Sequence, residues 1–182
     1  MPISSKEAER MAILDVARLM IASARTAPKA RGIDEISTVI LSEKDEIEAL
    51  AKEMDGLKHM GTFFERDAKS LRKSEAVVLI GVRGRRSKGL NCGACGFENC
   101  QEFETVPKKV GKAYAGPNCI FFMIDLGIAL GSAVKVASQM GIDNRIMFTV
   151  GTAAKRLGLL DADVILGIPL STTGKNPFFD RA

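Results

Sequence analysis

The residues best equipped for chemistry in this chain are its four cysteines. Three fall within NCGACGFENC, residues 91–100, and the fourth, Cys119, follows in AGPNCIFF. The spacing is Cys92-x2-Cys95-x4-Cys100-x18-Cys119. Thiolates two residues apart can hold one centre, because the turn between them brings both sulfurs to one side. Gly93 and Gly96 permit that turn and leave backbone N–H groups free to face the sulfurs. Three chemistries use cysteine in this way: a disulfide, a zinc knot and an iron–sulfur cluster.

The start of the chain separates the first from the other two. MPISSKEAERMAILDVARLM is interrupted by acids and bases, and its apolar residues recur at helical spacing, so it does not read as a signal peptide. The expected compartment is the reducing cytoplasm, where clustered cysteines more often bind metal or do redox work than form structural disulfides. Four cysteines suit zinc or a 4Fe–4S cube alike. Zinc ribbons pair two short knuckles, whereas a compact trio and one distant ligand is a layout common in cluster proteins, and it favours the cube. Pro117 stiffens the approach to Cys119, which sits at the expected start of a long helix, where the dipole favours a thiolate.

Composition narrows the partners. The 182 residues suit one domain, with an inserted cysteine-rich loop over residues 84–119. Hydrophobic content of 46% excludes general disorder. A net charge of +4, no Trp and a single Tyr give no basic stripe interleaved with stacking rings, so nucleic acid is not an expected partner. His59, the only histidine, lies in the polar linker GLKHMG without an acid to orient it, and reads as a surface residue. GIPLSTTGK has the wrong spacing for a phosphate loop and too little chain after it for the required helix. Asp180 and Arg181 read as an ion pair fastening the tail.

The elements that must position the cysteines follow from periodicity. An amphipathic helix is expected over Ser4–Ser23, opened by a Ser4/Glu7 capping box and ended by Pro28 and Gly32. STVILS (37–42) reads as a strand, 44–54 and 62–72 as helices, and AVVLIGV (76–82) as a strand covered on both faces. Residues 120–140 read as a long apolar helix, 145–150 as a strand, 151–159 as a short helix and 162–170 as the last strand. The alternation indicates an α+β sandwich. The long helix could span a bilayer by length, yet it carries Asp125 and Lys135, and charges within a membrane are rare and costly. It therefore reads as a core helix with no membrane span. Its Gly127-x3-Gly131 pair marks close packing, within the subunit or across a dimer.

Several stretches resemble known families. Cys92-Gly93-x-Cys95-Gly96-x3-Cys100 with Cys119 resembles the 4Fe–4S domain of electron-transfer complex subunits and corrinoid iron–sulfur proteins, at a slightly wider gap to the last ligand. Nearly the whole chain resembles the uncharacterised ferredoxin domain-containing family, through ARTAPKARGID, NCGACGFENC, GPNCIFFMIDLGIALGSAVKVAS, DNRIMFTVGTAAKRLGL and LGIPLSTTGKNPFFDR. This implies a 4Fe–4S cluster on Cys92, Cys95, Cys100 and Cys119, while the family brings no established activity; such a cluster would pass single electrons, with a ferredoxin or flavoprotein as the expected partner.

The order of elements is also similar to nitroreductases, through ASARTAPKA with STVILS and through IDLGIALGSAVKVASQMGI. That implies a related core and a homodimer; FMN does not follow from it, and a flavoenzyme in which the cluster relays electrons to FMN is the second reading. The arginine-rich N-terminal motif with which that family grips the FMN phosphate is not present, and Lys29 stands where its serine would be. The remaining phosphate partners are Arg25, Lys29 and Arg31, with Arg83, Arg85, Arg86 and Lys88 as a second basic group; such runs are more often solvated loop. The zinc-stabilised interaction domain stays open as a third reading.

Overall fold

In a computed structural model, residues 2–179 are described; the Asp180–Arg181 pair lies outside them. The first helix, α1 (Ser5–Thr26), begins where Ser4 Oγ accepts the Glu7 N–H at 3.3 Å and ends just before Pro28. Then come β1 (Ile36–Leu41), α2 (Lys44–Gly56), α3 (Phe63–Leu71) and β2 (Ala76–Val82). Residues 84–119 contain a short α4 (Cys100–Thr105) and a two-stranded ribbon, β3 (Lys109–Val110) with β4 (Ala115–Gly116). The chain returns through α5 (Ile120–Gln139), β5 (Asp143–Asn144), α6 (Phe148–Arg156) and β6 (Val164–Ser171).

Apart from the β3–β4 ribbon, the strands form one antiparallel sheet in the order β1-β2-β6-β5. Every residue of β2 is buried, because both faces of the sheet are covered. Successive side chains on a strand point to opposite faces. Ala76, Val78, Ile80 and Val82 thus join the core under α1 and α5, while Val77 and Leu79 join the core under α2, α3 and α6. The result is a three-layer sandwich, which agrees with the α+β expectation.

Two expectations shift. The strand over residues 145–150 reduces to a single bridge, Met147 to Gly167, and α6 starts at Phe148 instead of Gly151. The helix forms because Val150, Ala153 and Ala154 recur at helical spacing and bury together. Gly151 also lets its backbone settle on β6: a Cβ there would lie 1.8 Å from Ile165 O.

The basic loop is the second change, at one residue. Arg83, Arg85 and Arg86 are exposed, as a solvated loop requires, but Lys88 is buried. His59 lies on the surface, its ring nitrogen 3.1 Å from Gly56 O.

Candidate metal centre

Residues 84–119 are anchored at their base by polar contacts. Asp163, 4% exposed, accepts the Gly84 N–H at 2.8 Å and the Lys108 ammonium at 2.7 Å. Lys108 also donates to Asn118 Oδ1 at 2.8 Å, and the Cys119 N–H donates to Gly84 O at 3.1 Å. Gly84 is required there, since a Cβ would meet Asn118 Oδ1 at 2.5 Å. The two ends of the segment are therefore locked side by side, which brings Cys119 back beside the loop that carries the other cysteines. Farther out, the Tyr114 ring meets Phe148 edge-on at 5.6 Å, and burial pushes its phenol up to about 12.

Within the loop, Gly93 (φ 68°) and Gly96 (φ 88°) adopt left-handed backbone, as their placement beside the cysteines predicts, and the Gly96 N–H closes a turn on Gly93 O at 2.9 Å. Sequence reasoning missed Asn91. It also has positive φ, 46°, which Asn tolerates better than most residues. Its N–H donates to Cys100 Sγ at 3.3 Å, and its Oδ1 accepts the Cys100 N–H at 2.9 Å. That reciprocal pair clips the two ends of the trio together. Its signal in the sequence is an Asn directly before Cys92 in a glycine-rich loop.

All four cysteines are free thiols, and all four line one small pocket. Cys92 is exposed, Cys95 and Cys100 are half-buried, and Cys119 is buried at the cap of α5. Cys100 opens α4, which Asn99 caps by accepting the Glu102 N–H at 2.9 Å. Its thiol is held below the usual value by the Ser87 hydroxyl first, then by the Asn91 N–H, against the opposing effect of burial. Glu104 accepts the N–H of Ser87 at 2.8 Å, which holds its carboxyl low, and lies 2.7 Å from the same hydroxyl, whose one proton serves either the Glu104 carboxylate or the Cys100 sulfur at a time.

Among the described residues, no three Cys, His, Asp or Glu side chains converge on a single ion-sized point. One zinc ion needs all its sulfurs about 2.3 Å from one point, whereas a cube of four irons takes one thiolate at each corner. The cysteine-only donor set, the shared pocket and the N–H bond to sulfur suit a thiolate-held centre.

The basic residues proposed for an FMN phosphate have partners within the chain. Arg25 pairs with Asp34. Lys29 donates to Ala24 O at 2.8 Å and to Arg25 O, closing the end of α1, with its side chain 5% exposed. Arg31 donates to Lys88 O at 2.6 Å. The Lys88 ammonium lies 2.7 Å from Asp125 Oδ2, donates to Ile33 O at 2.5 Å and sits 4.0 Å from the centre of the Phe122 ring. Asp125 Oδ1 accepts the Ala30 N–H at 2.9 Å. Arg25 and Arg31 remain exposed despite these partners, and Arg83, Arg85 and Arg86 are on the surface beside Glu35 and Asp161, with Arg83 paired to Asp161 at 3.0 Å.

Comparison with known proteins decides the family. An uncharacterized protein of Archaeoglobus fulgidus is 51% identical over 183 residues, covering 100% of this chain and 98% of that protein. The model of a family described as "uncharacterized protein containing a ferredoxin domain" (DUF2148) matches residues 115–181. The chain belongs to this ferredoxin-domain family. The matched stretch holds Cys119 but begins after the trio.

Its fold is also that of nitroreductases. A putative NADH dehydrogenase/NAD(P)H nitroreductase from Bacteroides thetaiotaomicron superposes with a TM-score of 0.56 at 10% identity, over 100% of this chain and 83% of that one. The NADPH:FMN oxidoreductase of Vibrio harveyi gives 0.54 at 13% identity, over 100% of this chain and 65% of the other. An oxidoreductase described as containing FMN gives 0.56 at 13% identity, over 96% and 70%. At these identities the likeness is one of fold.

Proposed function

We propose that the protein is a cytoplasmic redox carrier that holds a 4Fe–4S cluster on Cys92, Cys95, Cys100 and Cys119. The observation that carries this reading is the single cavity lined by all four free cysteines, drawn from two places in the chain. Membership in a ferredoxin-domain family supports it. When bound, the cluster supplies one-electron chemistry. The chain's own residues hold and shield it. The Asn91 N–H donates to Cys100 Sγ, and Cys119 stands at the N-cap of α5. Cys92 is the exposed edge through which electrons would enter or leave. Arg83, Arg85 and Arg86, close by in the chain, suit an acidic electron-carrier protein, a ferredoxin or a flavoprotein.

Anaerobically prepared protein should show a broad brown absorption and about four irons per chain. Cys119→Ser should lose most of that iron while keeping the helical signal in circular dichroism, because Cys119 joins the other three only at the cavity. Stoichiometric zinc in a colourless protein would overturn the reading and leave a zinc-stabilised interaction domain.

A second reading rests on the nitroreductase fold: the cluster passes electrons to FMN. Arg25, Lys29 and Arg31 would have to release Asp34 and the carbonyls they now hold before gripping a phosphate. Yellow flavin released by heating the same preparation would favour this reading over the first.

A further inference from the structure

Lys88 is a lysine at the surface loop's root whose side chain is almost wholly withdrawn from water, 1% exposed. A buried ammonium requires compensation, and three groups supply it: Asp125, Ile33 O and the Phe122 ring. The residue also lines the cavity ringed by the four cysteines. Two of its partners, Phe122 and Asp125, stand three and six residues beyond Cys119 on α5. At a helical rise of about 1.5 Å per residue, Asp125 lies about 9 Å along the axis from Cys119.

Resting on the cluster reading above, the geometry points to Lys88 as the fixed positive charge that sets how readily this site accepts an electron, with Asp125 as its counterweight. Both are positioning residues and neither is a ligand. Each electron adds one negative charge to a site already bounded by four thiolates. A cation held in the low-dielectric interior stabilises that added charge more than the surface guanidiniums of Arg85 and Arg86, which water and salt screen. The carboxylate of Asp125 opposes it. The step breaks no bond and moves no proton: a one-electron donor, dithionite in the test, is oxidised as the site is reduced.

Because Lys88 and Asp125 largely cancel, removing either one exposes the field of the other. The two single substitutions must therefore shift the potential in opposite directions. A role limited to fastening the loop would disturb the site in the same sense for both.

The test is an anaerobic potentiometric titration followed by electron paramagnetic resonance, with iron and sulfide measured on the same samples. Lys88→Met should disfavour reduction tenfold or more, about 59 mV downward for one electron. Asp125→Asn, which can still accept the Ala30 N–H, should favour reduction by a similar factor. Lys88→Arg should stay within threefold of wild type. If iron is retained and the midpoints coincide, or both move the same way, the charge role is overturned. Should Lys88→Met fail to fold, the upward shift of Asp125→Asn still decides. A wild-type protein without iron overturns the cluster reading and this proposal together, and the metal analysis separates that result from failure of the proposal alone.

Discussion

Asp34 joins the end of α1 to the start of β1, accepting the Ile36 N–H at 2.9 Å while pairing with Arg25. Burial works against its ionisation, but the Ile36 bond and then the Arg25 guanidinium outweigh it, so its carboxyl sits below the ordinary 3.8. A carboxyl lowered on folding contributes stability above its unfolded pKa and loses it as pH falls. Asp34→Asn should therefore cost about 0.5–1 kcal/mol at neutral pH, a modest figure because the pair is partly exposed. The difference should fade from about pH 5 downward, and denaturant unfolding of both proteins across that range would show it. At this scale the sequence conveys identity better than surroundings. The four cysteines and the two glycines beside them were legible because their spacing and backbone demands are local. Lys88 was not: in RGRRSKGL it looks like its neighbours, and only the fold reveals that Asp125, 37 positions away, receives it.

The helices and strands that bury a continuous face were readable in advance. Continuous burial marks β2, and helical spacing marks α1 and α5, whose ends fall within a few residues of expectation. What failed was the junction before α6, where RIMFTV is apolar and β-branched enough to suggest a strand. Tertiary contact decides there. Gly151 meets β6 at Ile165, and Gly167 on β6 would carry a Cβ 2.2 Å from Val150 Cγ1, so two glycines let helix and strand approach face to face. Gly151→Ala would place a methyl group against a backbone carbonyl that cannot rotate away. It should lower stability by about 1–3 kcal/mol, read as a lower urea midpoint with an unchanged slope. The short α4 and the β3–β4 ribbon were not legible either: at six and two residues per element they carry too little periodicity, and they depend on Asn99, Asp163 and Lys108 for their anchors.

In the molecule as a whole, α5 is long and apolar enough to cross a membrane, yet it is used differently along its two sides. One side buries Phe122, Leu126, Ala129, Leu130, Ala133 and Ala137 against α1 and the sheet, with Ser23 Oγ of α1 donating to Ser132 O at 3.0 Å. The other side presents Ile124 and Ile128, 46% and 38% exposed, together with Gly127 and Gly131. Neither glycine has a heavy atom within 4 Å of where its Cβ would stand, so this glycine pair is not closing a contact inside the subunit. Positions 124, 127, 128 and 131 follow i, i+3, i+4, i+7 and form one stripe. A stripe of two isoleucines around two glycines admits a second helix closely, and we propose that α5 of another copy covers it in a homodimer. Wild-type protein should sediment as a dimer. Ile128→Glu should sediment as a monomer with unchanged helical content, since its side chain leaves the folded subunit's core untouched while a charge at the contact would be desolvated. A wild-type monomer, or a dimer that survives Ile128→Glu, would place the subunit contact elsewhere.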